Sequence, residues 1–440
     1  MHGSTKNKFD FRDIENVYRF LDKLPAFQFK GHSAVKMGLE RIRSFCAAMG
    51  NPQDNIPCIH IAGTNGKGSL AALLALVYEQ AGMQCGLYTS PHLLHLNERF
   101  RINQKPVDPD HLLHFFQLWK EELFTADLSY FELTTAFAFW WFAHSQVDIM
   151  ILETGLGGRL DATNLVMPEV SVITSVSYDH QQILGQDLAQ IAREKAGIIK
   201  KNRPVVIGNL PGPALEKIFA RAQKLHAPVW NAAELNPEHH APAGTFSFVD
   251  DGCKITVETD LKAPVHRWTI AMAWLSCRAA RGLPAVTADE FSKALSGASR
   301  SGLLNARFER LTPHYPWYFD GAHNREAVSA LIETLKQVQA ESEPVIILSL
   351  MKDKAEKKML QPFSVFKKNY YYSLDTERAA DIAHVTPYLV NISDLPPQDE
   401  KITEFLSGLT GQLVVFTGSF YFYSVVRRWV SSVIRANART

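Results

Sequence analysis

Between residues 56 and 207, short and almost wholly apolar runs alternate with longer stretches in which apolar positions recur every three or four residues. The short runs, at 56–62, 85–88, 148–152, 170–176 and 204–207, predict strands. The periodic stretches at 70–81, 112–123, 131–144 and 188–199 predict helices, the first of them stopped by Gly82. Runs that are apolar throughout belong to strands buried on both faces. Alternating with helices, they predict a mostly parallel sheet covered on each side, an α/β fold.

The pattern changes near residue 245. Phe246-Ser247-Phe248-Val249, then Asp250-Asp251-Gly252, then Lys254-Ile255-Thr256-Val257 reads as a hairpin, and helices follow at 265–281 and 288–295. The small, polar stretch 296–302 is the expected domain boundary. Beyond it, strands at 317–319, 345–348 and 413–416, a helix at 325–337 and a terminal helix predict a second, smaller α/β domain. The expected division is 1–298 and 299–440.

Composition narrows the function more than the fold. The chain has 440 residues, 46% apolar and 21% charged, ordinary for a globular protein of two or three domains. Forty-six basic residues stand against 45 acidic ones, so no global field draws the chain to nucleic acid or to an anionic membrane. The five cysteines form no C-x-x-C pair, which supports neither a disulfide framework nor a zinc site. The first residues lack an apolar signal region, and the most apolar run, 137–143, is too short to span a bilayer, so the cytoplasm is the expected location.

Five segments carry candidate chemistry. Gly63-Thr64-Asn65-Gly66-Lys67-Gly68-Ser69 lies between a predicted strand and helix, where backbone N–H groups and the helix dipole favour phosphate. Lys67 can reach the β- and γ-phosphates of a nucleotide and the Ser69 hydroxyl can ligate magnesium, although Gly68 separates them as it does not in the Walker pattern. Glu153 ends a predicted strand, and Tyr178-Asp179-His180 follows the next one, both at carboxyl ends, where α/β sheets bind ligands. Lys195 stands among Ile191, Ala192, Ala196, Ile198 and Ile199, so it is paired, neutral or modified. Asp320-Gly321-Ala322-His323-Asn324 follows a strand of the second domain, with Arg307 upstream. Taken singly, each has a bland alternative: a glycine-rich turn, a strand-end carboxylate facing water, a satisfied core histidine, a snorkelling lysine, a tight turn.

Together these segments resemble folylpolyglutamate synthase and dihydrofolate synthase, the folate branch of the Mur-type ATP-dependent amide ligases. Ser90-Pro91-His92-Leu93 with Glu98, Arg99 and Asn103, the stretch Phe131-Glu132-Leu133-Thr134-Thr135, and Gly157-Gly158-Arg159-Leu160-Asp161-Ala162-Thr163-Asn164 follow in that family's order, as does Thr417-Gly418-Ser419. The resemblance implies a phosphate-loop domain followed by a Rossmann-like glutamate-ligase domain. It implies ATP as co-substrate and two magnesium ions, with a monovalent cation as a further expectation. Ser69 and Glu153 would hold one magnesium; Glu153, His180 and a carbamylated Lys195 would hold the other. Arg307 and Asp320 would reach the nucleotide, with His323 near the transferred phosphate. Ser90, Pro91, His92, Phe131, Arg159, Asp161 and Thr163 would form the folate site. Lys67, Lys195 and His323 would be the catalytic side chains, in a monomer with small-molecule substrates only. Domain closure over the reaction is expected, with a hinge near 296–304.

Two stretches depart from the family pattern. His266-Arg267-Trp268-Thr269-Ile270 lacks the usual glutamine and asparagine of the adenine-contacting run, and Leu304-Asn305-Ala306-Arg307 keeps only the arginine of Trp-x-Gly-Arg. Two other functions compete. A cell-wall Mur ligase acting on a UDP-muramyl substrate would carry a whole domain before the phosphate loop, where only a short leader precedes His60. A P-loop ATPase switch would leave Lys195 and Asp320 without a purpose.

Overall fold

The computed structural model describes residues 10–24, 38–241, 244–338 and 343–438. The chain divides into two compact units. The first comprises Met1–Pro237, Ser247–Val257 and Trp268–Ser296; the second comprises Glu238–Phe246, Glu258–Arg267 and Gly297–Thr440.

The first unit is built on β1 (Cys58–Ala62), β2 (Cys85–Tyr88), β3 (Phe100–Ile102), β4 (Lys105–Pro106), β5 (Ile149–Glu153), β6 (Val170–Ile173), β7 (Val205–Ile207) and β8 (Val229–Asn231). They form one sheet in the order β4-β3-β2-β5-β1-β6-β7-β8. All pairings from β2 to β8 are parallel, and β3 and β4 add an antiparallel edge. β1, β5 and β6 are buried at every residue, as their unbroken apolar runs require. In register, Ile61 lies beside both Glu153 and Val172, so these three central strands end level with one another.

The helix Tyr130–His144 is strongly apolar, and it is a core element, packed on nearly every side. A reciprocal cap between Ser129 and Glu132 starts it, and Arg41 pairs with the buried Glu132 carboxylate at 3.1 Å. Phe137 meets Phe100 edge-on at 4.8 Å and Phe115 at 5.3 Å in the aromatic cluster that this helix anchors. No helix among the described residues is long and apolar enough to cross a membrane.

A three-stranded sheet follows, β9 (Glu238–His240), β10 (Thr245–Asp250) and β11 (Cys253–Glu258), the last two being the expected hairpin. The second unit holds β12 (Glu309–Arg310), β13 (Trp317–Asp320), β14 (Val345–Leu348), β15 (Lys368–Tyr371), β16 (Ile392–Asp394) and β17 (Val414–Thr417). Their order is β12-β13-β17-β14-β15-β16, parallel throughout except for β12. Asp320 and Leu348 both pair with Thr417, so β13, β17 and β14 also end level.

Some boundaries differ from those the pattern predicts, for local reasons. The expected strand to Val176 stops at Ile173, because Thr174 and Ser175 turn aside to hold the loop after β1. The single helix expected over 112–123 is two, Pro109–Leu118 and Lys120–Thr125, broken at Trp119 with φ −106° and ψ 23°. The helix expected to 199 ends at Lys195 and tightens into a 3₁₀ turn over Ala196–Ile198, where Gly197 lies against the backbone of Arg159.

Candidate active site

The turn after β1 is shaped from two directions. Gly66 has a φ of 84°, a left-handed conformation that costs glycine nothing, and it caps the helix Lys67–Gln80 without offering a side-chain acceptor. The first N–H groups of that helix thus have no side-chain acceptor from their cap, and such a helix start, with the dipole behind it, suits an anion. From the other side, the end of β6 grips the turn. Thr64 N–H donates to the Ser175 carbonyl at 2.9 Å and Asn65 N–H to Ser175 Oγ at 2.8 Å. Thr174 Oγ1 donates to the Asn65 carbonyl at 2.6 Å. A Cβ on Gly63 would collide with Thr174 Oγ1, so this close approach needs glycine there. Lys67 Nζ arches back to the Gly63 and Thr64 carbonyls at 3.1 and 3.3 Å, and Ser69 is buried in the first helical turn.

Glu153 ends β5 beside this turn and is buried; its Oε2 accepts the Ser90 N–H at 3.0 Å. The Ser90–Pro91 peptide is cis. His92 Nδ1 accepts from Arg99 Nε at 2.9 Å. Burial, followed by the charges of Arg99 and His95, pushes His92 down to about 3, so its ring is neutral. Phe131 lies directly on Gly155, where a Cβ would come within 2.5 Å of the ring.

The loop from Thr154 to Asn164 joins these parts. Asp161 Oδ2 accepts the Leu156 N–H at 2.8 Å, and its Oδ1 accepts both the N–H and the hydroxyl of Thr163. Arg159 pairs with Glu194 at 3.0 Å, and its own N–H donates to the Glu194 carbonyl at 2.8 Å. Of the residues expected at folate, Arg159, Asp161 and Thr163 thus direct these polar groups at their own surroundings and give the loop its shape. Lys195, on the last turn of the helix Leu188–Lys195, is buried. Burial and the nearby charge of Lys67 push it down to about 7, against the fields of Asp179 and Asp161, so a substantial neutral fraction of its amine persists at neutral pH. His180 sits in a left-handed conformation at φ 49°, and its N–H donates to Asp179 Oδ1 at 2.8 Å.

Within the second unit, Arg307, Asp320 and His323 come together. Ala306 and Phe308, on either side of Arg307, both have positive φ, 58° and 50°, which non-glycine residues rarely adopt. Two carboxylates brace this kink: Glu309 accepts the Ala306 N–H and Asp320 the Phe308 N–H, at 2.8 and 2.9 Å. Asp320 also accepts the Ala322 N–H at 2.9 Å; burial raises its pKa while Arg307 and these bonds oppose the rise. The Arg307 guanidinium lies 4.6 Å from the centre of the Phe420 ring, and His323 meets the same ring at 5.4 Å while its Nδ1 bonds the Gly321 carbonyl at 2.7 Å. In the stretch that departs from the adenine pattern, His266 is buried and pushed by burial down to about 4, and Arg267 pairs with Glu333 at 3.4 Å.

Sequence reasoning missed Thr174, Ser175, His60 and Phe420. Two adjacent hydroxyl residues inside the run 170–176, and one histidine inside the run 56–62, are the only local marks they leave.

A family model for the Mur ligase middle domain matches residues 61–271. The dihydrofolate synthase/folylpolyglutamate synthase of Bacillus subtilis is 35% identical over 418 residues, covering 90% of this chain and 95% of that protein. The folylpolyglutamate synthase of Lacticaseibacillus casei is 31% identical over 410 residues, covering 88% of this chain and 93% of that protein. Among solved structures, E. coli FolC in complex with DHPP and ADP superimposes with a TM-score of 0.82 at 27% identity, covering 96% of this chain and 99% of that one.

The Thr174 hydroxyl tests whether the β6 grip matters. Thr174→Val removes one hydrogen bond worth about 1 kcal/mol, so the dissociation constant of a non-hydrolysable ATP analogue is expected to rise roughly five-fold. Titration calorimetry reads this, and unchanged affinity would mean the loop keeps its shape unaided.

Proposed function

The chain belongs to the dihydrofolate synthase/folylpolyglutamate synthase family, and from that premise we propose how its own residues carry out ATP-dependent ligation of glutamate to a pteroate or folate carboxylate. The carrying observation is the glycine turn at an uncapped helix amino end, gripped by β6 and flanked by Glu153.

A carboxylate is a poor electrophile at neutral pH. Transfer of the γ-phosphoryl group from ATP to an acceptor carboxylate oxygen gives an acyl phosphate and ADP. The uncharged amine of glutamate then attacks the acyl carbon, the C–O bond to phosphate breaks with its electron pair, and the amine loses a proton as the amide forms. The main catalytic need in such transfer is to orient the phosphates and offset their charge. The N–H groups after Gly66 and the Lys67 ammonium serve the nucleotide phosphates. Arg307 supplies a further positive charge for the migrating group, and His323 lies against the same Phe420 ring as Arg307. An acyl phosphate hydrolyses readily, so the reaction needs water kept from it.

The donor set fits magnesium. Ser69, in the first turn of the helix after β1, and Glu153, at the end of β5, are hard oxygen donors, and two further buried hydroxyls, Thr154 Oγ1 and Ser177 Oγ, have no partner among the described residues. Among the described residues no three His, Cys, Asp or Glu side chains gather to hold a metal by themselves. The proposed sites therefore rely on Ser69, phosphate oxygens and a modified Lys195 in addition to Glu153 and His180. Bound magnesium would neutralise phosphate charge. The partly neutral Lys195 amine is the form that adds to carbon dioxide, giving a carbamate and releasing a proton.

Purified protein with ATP, magnesium and glutamate is expected to release ADP only when dihydropteroate or tetrahydrofolate is added. Release that ignores glutamate and pterin would overturn the ligase assignment. Carbamylation is read separately. Enzyme depleted of carbon dioxide at pH 6, where the Lys195 amine is mostly protonated, is expected to lose most of its activity and to regain it with bicarbonate at pH 8. Indifference to bicarbonate in the wild type, or full activity of Lys195→Ala, would remove the modified lysine from the mechanism.

A further inference from the structure

His60 is the one polar side chain in the otherwise apolar strand β1, and it is completely buried. Its Nε2 lies 2.7 Å from Thr163 Oγ1, which lies 2.5 Å from Asp161 Oδ1. The directions of these bonds follow from proton counting. A hydroxyl has one proton to give, and an ionised carboxylate only accepts. Burial raises the Asp161 pKa, and the Thr163 hydroxyl and the backbone N–H groups that donate to the carboxylate oppose the rise; with Asp161 ionised, the Thr163 proton points at Asp161 Oδ1. Thr163 must then accept from His60, which fixes the imidazole proton on Nε2 and leaves Nδ1 bare.

That bare nitrogen is buried and has no hydrogen-bond partner among the described residues. A buried acceptor left unpaired is a liability that a leucine at the same position would not carry. Burial, with a smaller contribution from Lys200, pushes His60 down to about 3, so the ring is neutral and has no use as a proton carrier near neutral pH. What His60 gains for the fold is therefore at its other end, where Nε2–H meets Thr163.

We propose that His60 is a positioning residue for the acceptor site: through the Thr163 hydroxyl it fixes the Asp161 carboxylate, and so the shape of the loop from Thr154 to Asn164. This rests on the reading of that loop and Phe131 as the wall that receives a pterin-bearing carboxylate. The loop has two further attachments that a loosened Asp161 would disturb. Gly155 lies under the Phe131 ring, and the Arg159 N–H holds the Glu194 carbonyl, one residue before Lys195. His60 thereby ties the strand that leads into the phosphate turn to the loop on the acceptor side.

The test uses the full-length enzyme and steady-state kinetics with ATP and the pterin acceptor varied separately. His60→Leu is expected to raise the acceptor KM about ten-fold while the ATP KM stays within about two-fold. His60→Gln, which can again offer an N–H to Thr163, is expected to recover most of that loss. Thr163→Val removes the hydroxyl without changing the side-chain shape, so it should reproduce the Leu phenotype and protect the test if His60→Leu folds poorly. Combining His60→Leu with Thr163→Val should add nothing to either alone. A rise in both KM values together, failure of Gln to rescue, or additive effects in the double variant would each overturn the relay. Absence of pterin-dependent ligation in the wild type would instead overturn the acceptor reading itself, before any variant is compared.

Discussion

Three parallel strands that stop at the same level set the conditions for everything else in the first unit. Because Ile61, Glu153 and Val172 share one register, the chain leaves β1, β5 and β6 side by side, at the sheet's switch in strand order. A row of buried strands has no place for charge along its length. At its carboxyl edge, backbone donors, a helix dipole and one acidic side chain converge, and the low polarity behind them makes each interaction with phosphate stronger.

Around that edge, side chains divide into those that face a ligand and those that hold the first kind in place. In the proposed mechanism Lys67, Ser69 and Glu153 are of the first kind. Thr174, Ser175 and Asp161 are of the second, since their polar groups go to neighbouring backbone and side chains. The second unit repeats the division. Asp320 places both oxygens on backbone N–H groups and thereby fixes the unusual kink that displays Arg307. A carboxylate in a well-known motif need not touch substrate to matter; it can hold the backbone that does.

The split also explains what the sequence made legible. The strand–turn–helix at 56–81, the buried lysine at 195 and the carboxylates at strand ends were readable, because each is a local pattern with a physical reason. The expected strand–turn–helix and parallel sheet appear as read. The bracing groups were not readable, since Ser175 meets Asn65 and Thr163 meets His60 across more than a hundred positions of chain. Only the fold brings them together. Short edge strands such as Lys105–Pro106 and Ile392–Asp394 were missed for a simpler reason: two or three residues carry no usable alternation. The early stop of β6 at Ile173 was hidden because Thr174 and Ser175 extend the strand's pattern while serving the turn beside it.

Activation of the acceptor carboxylate by phosphate taken from ATP is the step on which the proposed mechanism turns. It is tested most directly by labelling both oxygens of that carboxylate with heavy oxygen and analysing the products of a single turnover by mass spectrometry. One labelled oxygen per amide formed is expected in inorganic phosphate, carried over through the acyl phosphate. Unlabelled phosphate, formed at the same rate as the amide, would contradict it and would require another route from carboxylate to amide.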